Sequence, residues 1–421
     1  MTDESRAPNL DLVATACRAA GGRNVFDVLD FRARRIDRWS VPRLTSERIV
    51  SRLEKSLPPG ALPPEAESCR DYFQTQCMTP HTAQLAPNGV LLVGMGDPAN
   101  GFCVLAIDTQ RSEAKAMPAD WGEGAALHCS TGGFRSGGDH WLFLRWPFAG
   151  SRDIAEGRSA LTECEVWELD TTSLRTRLLC AVEAVDAGHQ LTCSPDGRFA
   201  VFASFKWDIA AGGEGGRGSR LKPCELVAVD LQTGRARTTL VPVPAIAHPF
   251  FDPTEPDVFY LSAHNIRPVR EGTCVEGPAC MYRMRLCAGR PTVEGEYSDD
   301  AFFRITQHFV FCLDDRPIIA VTNLPNGLDL IDGRTMKLWR RRVLFEAPPL
   351  ELGPEGCALC PSWPESCLSL CASADGRYVV LESAAGLRVY DVWEDRLADG
   401  PMSQQLPEGA RIVGHMRTPC E

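Results

Sequence analysis

A polar residue, four to six residues of strand, a Pro/Asp/Gly turn and then an apolar run recur along this chain. The pattern stands at HTAQLAPNGVLLVGM from His81, HQLTCSPDGRFAVFASF from His189, HPFFDPTEPDVFYLSA from His248, HFVFCLDDRPIIAVTN from His308 and SLCASADGRYVVLES from Ser369. The last three intervals are each about sixty residues. Each unit continues with a second pair of β-rich runs split by a turn, as in CELVAVD, LQTG, RARTTLVPV and in GLDLID, GRT, MKLWRRRVLF. Short apolar runs split by Asp-Gly, Thr-Gly or Gly-Arg are hairpin signals. Paired strands repeating at roughly forty to sixty residues predict an all-β fold, a β-propeller of four-stranded antiparallel blades.

Residues 69–400 supply six such units, and a seventh is expected from the two ends of the chain. NVFDVLDFRARRIDRWSVP, within residues 22–42, reads as two outer strands, and ARIVGHMR, within 401–421, as the inner strand that closes the ring. Closure removes the open sheet edges that invite aggregation. Residues 1–421 thus form one domain of seven blades. TSERIVSRLEKSL has Ser/Thr start signals and apolar residues at helical spacing, so residues 45–68 predict a short helix and a Pro-rich connector outside the ring.

Composition agrees with one large globular body, at 44% hydrophobic and 24% charged residues in 421. A net charge of −11 argues against a general nucleic-acid or anionic-membrane surface. The RRR run at Arg340 to Arg342 reads as a solvated strand or turn face. No apolar stretch reaches the length of a membrane span, and the N-terminus lacks the basic start and apolar core of a secretory signal, which places the protein in the cytoplasm. There the eighteen cysteines read as thiols buried in strands.

One cysteine cluster stands apart. CALCPSWPESCLSLC puts Cys357, Cys360, Cys367 and Cys371 within fifteen residues, a set that could close a zinc site. Against this, Cys367 and Cys371 fall on a predicted strand that limits how far they fold around one ion, which leaves strand thiols and a CxxC in a loop. The Gly-rich segment Ala210 to Arg220 reads as a long loop, a lid or a surface insertion.

The inner strands carry the candidate chemistry. His248 and His308 each stand five residues before the turn position, at Pro253 and Leu313, so equal offsets place them on equivalent faces of neighbouring blades. Thr82, Gln190 and Ser369 share that offset, and Cys367 is two residues further out. Two histidines near a propeller axis can bind a divalent metal, act as a base and acid pair, or hydrogen-bond in a polar channel. His308 is also the imidazole that would lower the pKa of a reactive Cys367.

Three segments carry a resemblance. SCRDYFQTQCMTP, LKPCELVAVDLQTG and the pairing of AHPFFDP with FYLSAHN resemble the oligogalacturonate lyases, in patches from about residue 69 to 390. The resemblance implies a seven-bladed cytoplasmic propeller that carries out β-elimination on a short uronate oligosaccharide, with a manganese ion held by histidines and a glutamine. It implies that His308 is a metal ligand, His248 the proton abstractor and His264 a second histidine lining the site. Arg70, Tyr72 and Gln74 match the entry motif and would face the substrate mouth. The chain departs from the family where a glutamine and a His-Pro-His are expected, because Pro364, Cys367 and Ser369 stand there. A softer metal such as zinc or copper held by His308 and Cys367, or none, then suits the residues better than manganese. Glu225 follows Cys224 where the family has an arginine.

Three functions are therefore carried forward. The first is a lyase acting next to a carboxylate on a uronate oligosaccharide or related small acid, with Gln190 and Arg267 among the substrate-binding residues and the cation site rebuilt around Arg267 or Arg270. The second is an isomerase, epimerase or cyclase using His248 and His308 as base and acid. The third is a non-catalytic binding propeller with a protein partner on one face, since fold does not fix function.

Overall fold

Asp108, Asp170, Asp230, Asp332 and Asp391 each end the third strand of a four-strand unit and face a residue at or near the start of its second strand: Val90, His140, Phe199, Ile318 and Tyr378. In four of the units the carboxylate caps the turn that follows. Asp170 accepts from the Thr172 and Ser173 amides, Asp230 from those of Gln232 and Thr233, Asp332 from Thr335, and Asp391 from Trp393 and Glu394. This is why AVDLQTG and LIDGRT reverse the chain: an Asp side chain bonding the backbone two and three residues on mimics a turn.

The computed structural model describes residues 12–17, 23–30, 35–42 and 411–416, and, with breaks between strands, 82–147, 163–299 and 308–397. Among the described residues every regular element is a strand. Three sheets are plain four-stranded antiparallel meanders. Sheet C has Gly188–Cys193, Phe199–Ser204, Glu225–Asp230 and Arg235–Leu240. Sheet E has His308–Leu313, Arg316–Asn323, Gly327–Asp332 and Lys337–Val343. Sheet F has Leu370–Ala372, Tyr378–Ser383, Gly386–Asp391 and Arg396–Leu397. Sheet D, between C and E, starts with Ile246–Phe251 and runs through Val258–Val269 and Gly272–Cys287 to Arg290–Ser298. Sheet B, before C, has His140–Pro147, Glu163–Asp170 and Thr176–Glu183, with its innermost strand reduced to Ala125–Ala126 and Gly133–Phe134.

The first strands of sheets C, D, E and F neighbour one another in that order. Apolar cores fill the interfaces from sheet B through to sheet F. Leu142, Val166, Leu191, Phe202 and Val229 join B to C, Val201, Leu226, Phe251, Phe259 and Met284 join C to D, and Tyr260, Phe309, Ile318, Val379 and Tyr390 join D to E to F. Successive meanders packed face to face through their first strands are propeller architecture. Cys164 and Cys193 lie in the B–C core as small hydrophobes, and burial pushes both thiols up.

At the chain ends, Arg411–Met416 pairs antiparallel with Leu12–Cys17, which continues into Arg23–Asp30 and Arg35–Pro42. Leu12–Cys17 is a strand that the sequence reading did not include. On its other side Arg411–Met416 pairs parallel with Thr82–Leu85, joining these strands to sheet A, Thr82–Leu85 to Glu113–Ala116, in one eight-stranded sheet. The expected helix at 45–68 lies outside the described residues.

Two local readings change. Cys357–Cys360 is a strand, not a loop, paired with Thr273 to Glu276. Arg340 to Arg342 are half-buried and paired rather than a solvated face. Arg341 holds Asp329, Arg342 holds Asp395, and Arg340 donates to the Tyr390 hydroxyl (3.1 Å) and the Val392 carbonyl (2.8 Å) while stacking on Trp339. Charges on a blade flank next to another blade find partners across the gap, which a run of one sign in the sequence does not reveal.

Acid should weaken this fold. A hydrogen bond from Arg283 holds Glu255 below its ordinary pKa, one from Arg285 does so for Glu294, and one from Arg342 for Asp395. A carboxylate with a depressed folded-state pKa contributes stability above its unfolded pKa and loses it as pH falls through the folded one. Asp329, raised by burial, has the opposite sign. Glu168, Asp170 and Asp391 are lowered as well. With six lowered carboxylates against one among the described residues, the denaturant midpoint is expected to fall as pH drops below about 4. A midpoint flat from pH 6 to about 3 would mean that these ion pairs add nothing.

Candidate functional site

The aspartate-capped turns give the inner strands a common scale. Three residues past the position that faces the aspartate, the second strands of sheets A, C, E and F carry Val93, Phe202, Val321 and Leu381. Sheet D lacks that aspartate, but its Asp252 amide bonds the Val258 carbonyl as the Ser194 amide bonds Phe199, which puts Leu261 at the same level.

Opposite these residues, on the inner strands, stand Ala83, His308 and Leu370 in sheets A, E and F. In sheets C and D the ladder bulges there. The register shifts between His189 and Thr192, leaving Gln190 and Leu191, and between Ala247 and Phe250, leaving His248 and Pro249. Gln190, His248 and His308 thus occupy one level on three consecutive, neighbouring inner strands. Bulges at such places re-aim a strand locally. Ala83 and Leu370 take the level where counting from the turns put Thr82 and Ser369, because the first hairpins differ in length: those of sheets A and F close at Leu85–Leu91 and Ala372–Val379, that of sheet E at Leu313–Arg316.

The level lies near the start of the inner strands, and three insertions gather at that end of the sheets. The two middle strands of sheet D run on past Ile246, which pairs Ala263, as a hairpin that continues to Val269 and Gly272. His264 sits at the irregularity where the extension begins, opposite Gly277 to Ala279, and Arg267 faces Cys274 on the extension itself. Cys357–Cys360, with Glu351–Leu352 on its far side, adds to the edge of that hairpin from the connector between sheets E and F. The small ladder of Trp207–Asp208 with Arg220–Leu221, which pins the ends of the Gly-rich segment, touches the same hairpin through Arg220–Leu221. The result is a β cap at the end of the sheets that carries the imidazoles. Arg70, Tyr72, Gln74 and Cys367 lie outside the described residues. Cys371 is on the inner strand of sheet F, opposite Val380.

The opposite end is saturated with mutual ion pairs. Glu168, 2% exposed, accepts from Arg135 (2.7 Å) and Arg177 (2.8 Å). His140 Nδ1 is buried without a hydrogen bond, 3.5 Å from that carboxylate. Asp252, fully buried, accepts from the Thr254 and Glu255 amides, the Thr254 hydroxyl and Tyr260. Sequence reasoning missed these groups. Glu168 and Asp252, so engaged, tie together the strands of their own sheets, B and D. Among the described residues no three His, Cys, Asp or Glu side chains group as a metal site, and no helix is long and apolar enough to cross a membrane.

No protein-family model and no curated protein matches this chain. Similar solved structures include an oligogalacturonate lyase in complex with manganese (13% identity, TM-score 0.45, covering 93% of this chain and 85% of that one). They also include TolB from Acinetobacter baumannii (12%, 0.39, 94% and 84%) and the tricorn protease (10%, 0.48, 98% and 36%).

Proposed function

We propose that the chain is a lyase of small acids, built on a seven-bladed ring that the strands at the two chain ends close. Its substrate is a uronate oligosaccharide or a related polyhydroxy acid. The observation that carries the reading is the single level shared by Gln190, His248 and His308, beneath a cap that bears His264 and Arg267.

In this reading His248 takes the proton from the carbon next to the carboxylate. The electron pair left behind forms the new carbon–carbon double bond as the bond to the β-oxygen breaks, and the leaving oxygen takes a proton from His308 or solvent. Negative charge builds on the carboxylate oxygens, so a fixed cation must face them, a role given to Arg267 with Arg70. Two imidazoles and an amide at one level also fit a divalent cation, zinc-like by donor type, with His308 as a ligand and Cys367 as a further donor. Such an ion would supply Lewis-acid stabilisation of the same charge.

The test is ultraviolet absorbance of the conjugated product formed from digalacturonate. His248→Ala is expected to lose about 10²–10⁴-fold in rate, the range for a positioned general base. Product formed at the wild-type rate by that variant would remove His248 from the mechanism. Solvent deuterium entering the acid without elimination would replace the lyase with an isomerase or epimerase.

A further inference from the structure

Three arginines of sheet C and its first turn stand apart from the ion pairs of the other blades. On those blades arginines hold carboxylates, as Arg177 does in sheet B, Arg283 and Arg285 in D, Arg341 and Arg342 in E and Arg377 in F. Arg198, Arg235 and Arg237 are exposed, and none of them has an ion-pair partner among the described residues. The two acids nearest in the chain are spent within their own turns. Asp196 accepts from the Ser194 hydroxyl (2.6 Å) and the Arg198 amide (3.0 Å), and Asp230 from the Gln232 and Thr233 amides.

Register and stacking gather the three together. Directly opposed residues in antiparallel strands share a face, and so do residues two apart on a strand. Phe199, Asp230 and Arg235 form one row, and Val201, Ala228 and Arg237 the next. Val201 and Ala228 belong to the core between sheets C and D, with Phe199 packed against it, so this face turns toward sheet D. The guanidinium of Arg198 lies 4.9 Å over the Phe199 ring. Arg237 donates to the Ala288 carbonyl of sheet D (2.9 Å). Next to that carbonyl, a Cβ added to Gly289 would stand 3.9 Å from the Phe199 ring and 4.0 Å from Arg237 Cδ. Arg198 and Arg237 are thus held in place with most of their donors unspent, which lowers the ordering cost of binding.

Arg235–Leu240 is also the outer strand of its sheet, and no further described strand pairs with its other edge. An open edge offers its backbone groups to an extended chain. A strand added there sets alternate side chains beside Arg235 and Arg237, which stand about 7 Å apart, as alternate residues of any extended chain do. Its intervening side chains fall on the other face, beside Leu240, which is 62% exposed. We propose that the outer edge of sheet C binds an extended acidic segment of a partner protein, added as a fifth strand with its carboxylates beside Arg235 and Arg237 and with Arg198 strengthening the positive field. Charge selects this partner over a nucleic acid. At physiological salt a charge is felt over about 8 Å, so a short acidic strand meets these guanidiniums, whereas a long polyanion also runs over a chain whose net charge is −11. The inference does not depend on the chemistry proposed for the imidazoles.

The experiment is fluorescence anisotropy of the full chain with a labelled peptide alternating Glu and Val over about six residues, the length of an ordinary strand, together with amide hydrogen exchange. Saturable binding that weakens as salt rises is expected, with slowed exchange in Arg235–Leu240. Arg235→Glu combined with Arg237→Glu is expected to weaken binding by about tenfold or more, because two attractive cross-strand pairs become repulsive ones. Arg235→Lys combined with Arg237→Lys keeps the charge and should bind about as the wild type does. So should Arg334→Glu, which changes an exposed arginine of sheet E. No binding, equal binding of the same peptide with Lys in place of Glu, or slowed exchange only outside Arg235–Leu240 would overturn the proposal and leave the arginines as guards against edge-to-edge pairing. A single-stranded oligonucleotide that binds more tightly than the peptide, with the same loss in the double Glu variant, would overturn it in favour of a phosphate ligand.

Discussion

Replacing Arg283 with methionine is expected to lower the folding free energy by about 3–5 kcal/mol, the range for breaking a buried ion pair on one side. The guanidinium is 10% exposed and spends its donors across two sheets. Nη2 bonds Glu255 (2.8 Å), Nε bonds Glu294 (3.1 Å), and Nη1 reaches the Tyr260 hydroxyl (3.3 Å) and the Gly333 carbonyl of sheet E (3.1 Å). Fully buried Asp252 lies 4.0 Å from it and accepts a 2.5 Å bond from Tyr260. Methionine preserves the apolar stem, so the loss isolates the charge and its hydrogen bonds. Arg285 still serves Glu255 and Glu294, but it is Asp252 that is left buried beside a hydroxyl in place of a cation. The measurement is the denaturant midpoint at unchanged slope. A loss below about 1 kcal/mol, the range of exposed pairs, would mean that water replaces the guanidinium.

The same cluster shows what the sequence made legible. DPTEPD and SPDGR both read as turns, because Asp, Pro and Gly fix local dihedrals over a few residues. The apolar runs VFYLSA and IIAVTN read as strands for the same local reason. That Arg283 of sheet D would reach Gly333 of sheet E depends on how two blades pack, and neither residue signals this alone. Gly333 does so only in three dimensions, where an added Cβ would stand 2.8 Å from the Tyr260 ring and 3.1 Å from the Pro317 carbonyl.

The candidate site divides in the same way. His248 and His308 were findable by offset because each precedes a turn by the same count. The level itself needed cross-strand pairing, since bulges at Gln190 and His248 and hairpins of unequal length break a count made from the turns. The cap was not legible at all. VFYLSAHNIRPV looks like an ordinary strand that is somewhat long, and CALC like a metal knuckle, because the pairing of Cys357–Cys360 with Thr273 to Glu276 joins residues some eighty positions apart.

The arginine run gives the second large effect. Arg341→Met is expected to destabilise the protein by about 3–5 kcal/mol at neutral pH. Its Nε and Nη2 grip the two oxygens of Asp329 at 2.8 Å each, and Asn323 adds a 3.2 Å bond to a carboxylate that is 0% exposed. Burial already outweighs that arginine and raises the Asp329 pKa. Without the guanidinium the acid can stay buried only by taking a proton. A carboxyl whose folded pKa lies above its unfolded value destabilises the fold as pH rises between the two, so the variant should regain stability on acidification over the range where the wild type does not. Removing the charge as well, in Asp329→Leu with Arg341→Met, should recover most of the loss, since a buried ion pair contributes little over a packed apolar pair. A double variant no more stable than Arg341→Met would show that Asp329 is needed for its bond to Asn323, or for its shape, and that the charge pair is not what holds Gly327–Asp332 to Lys337–Val343.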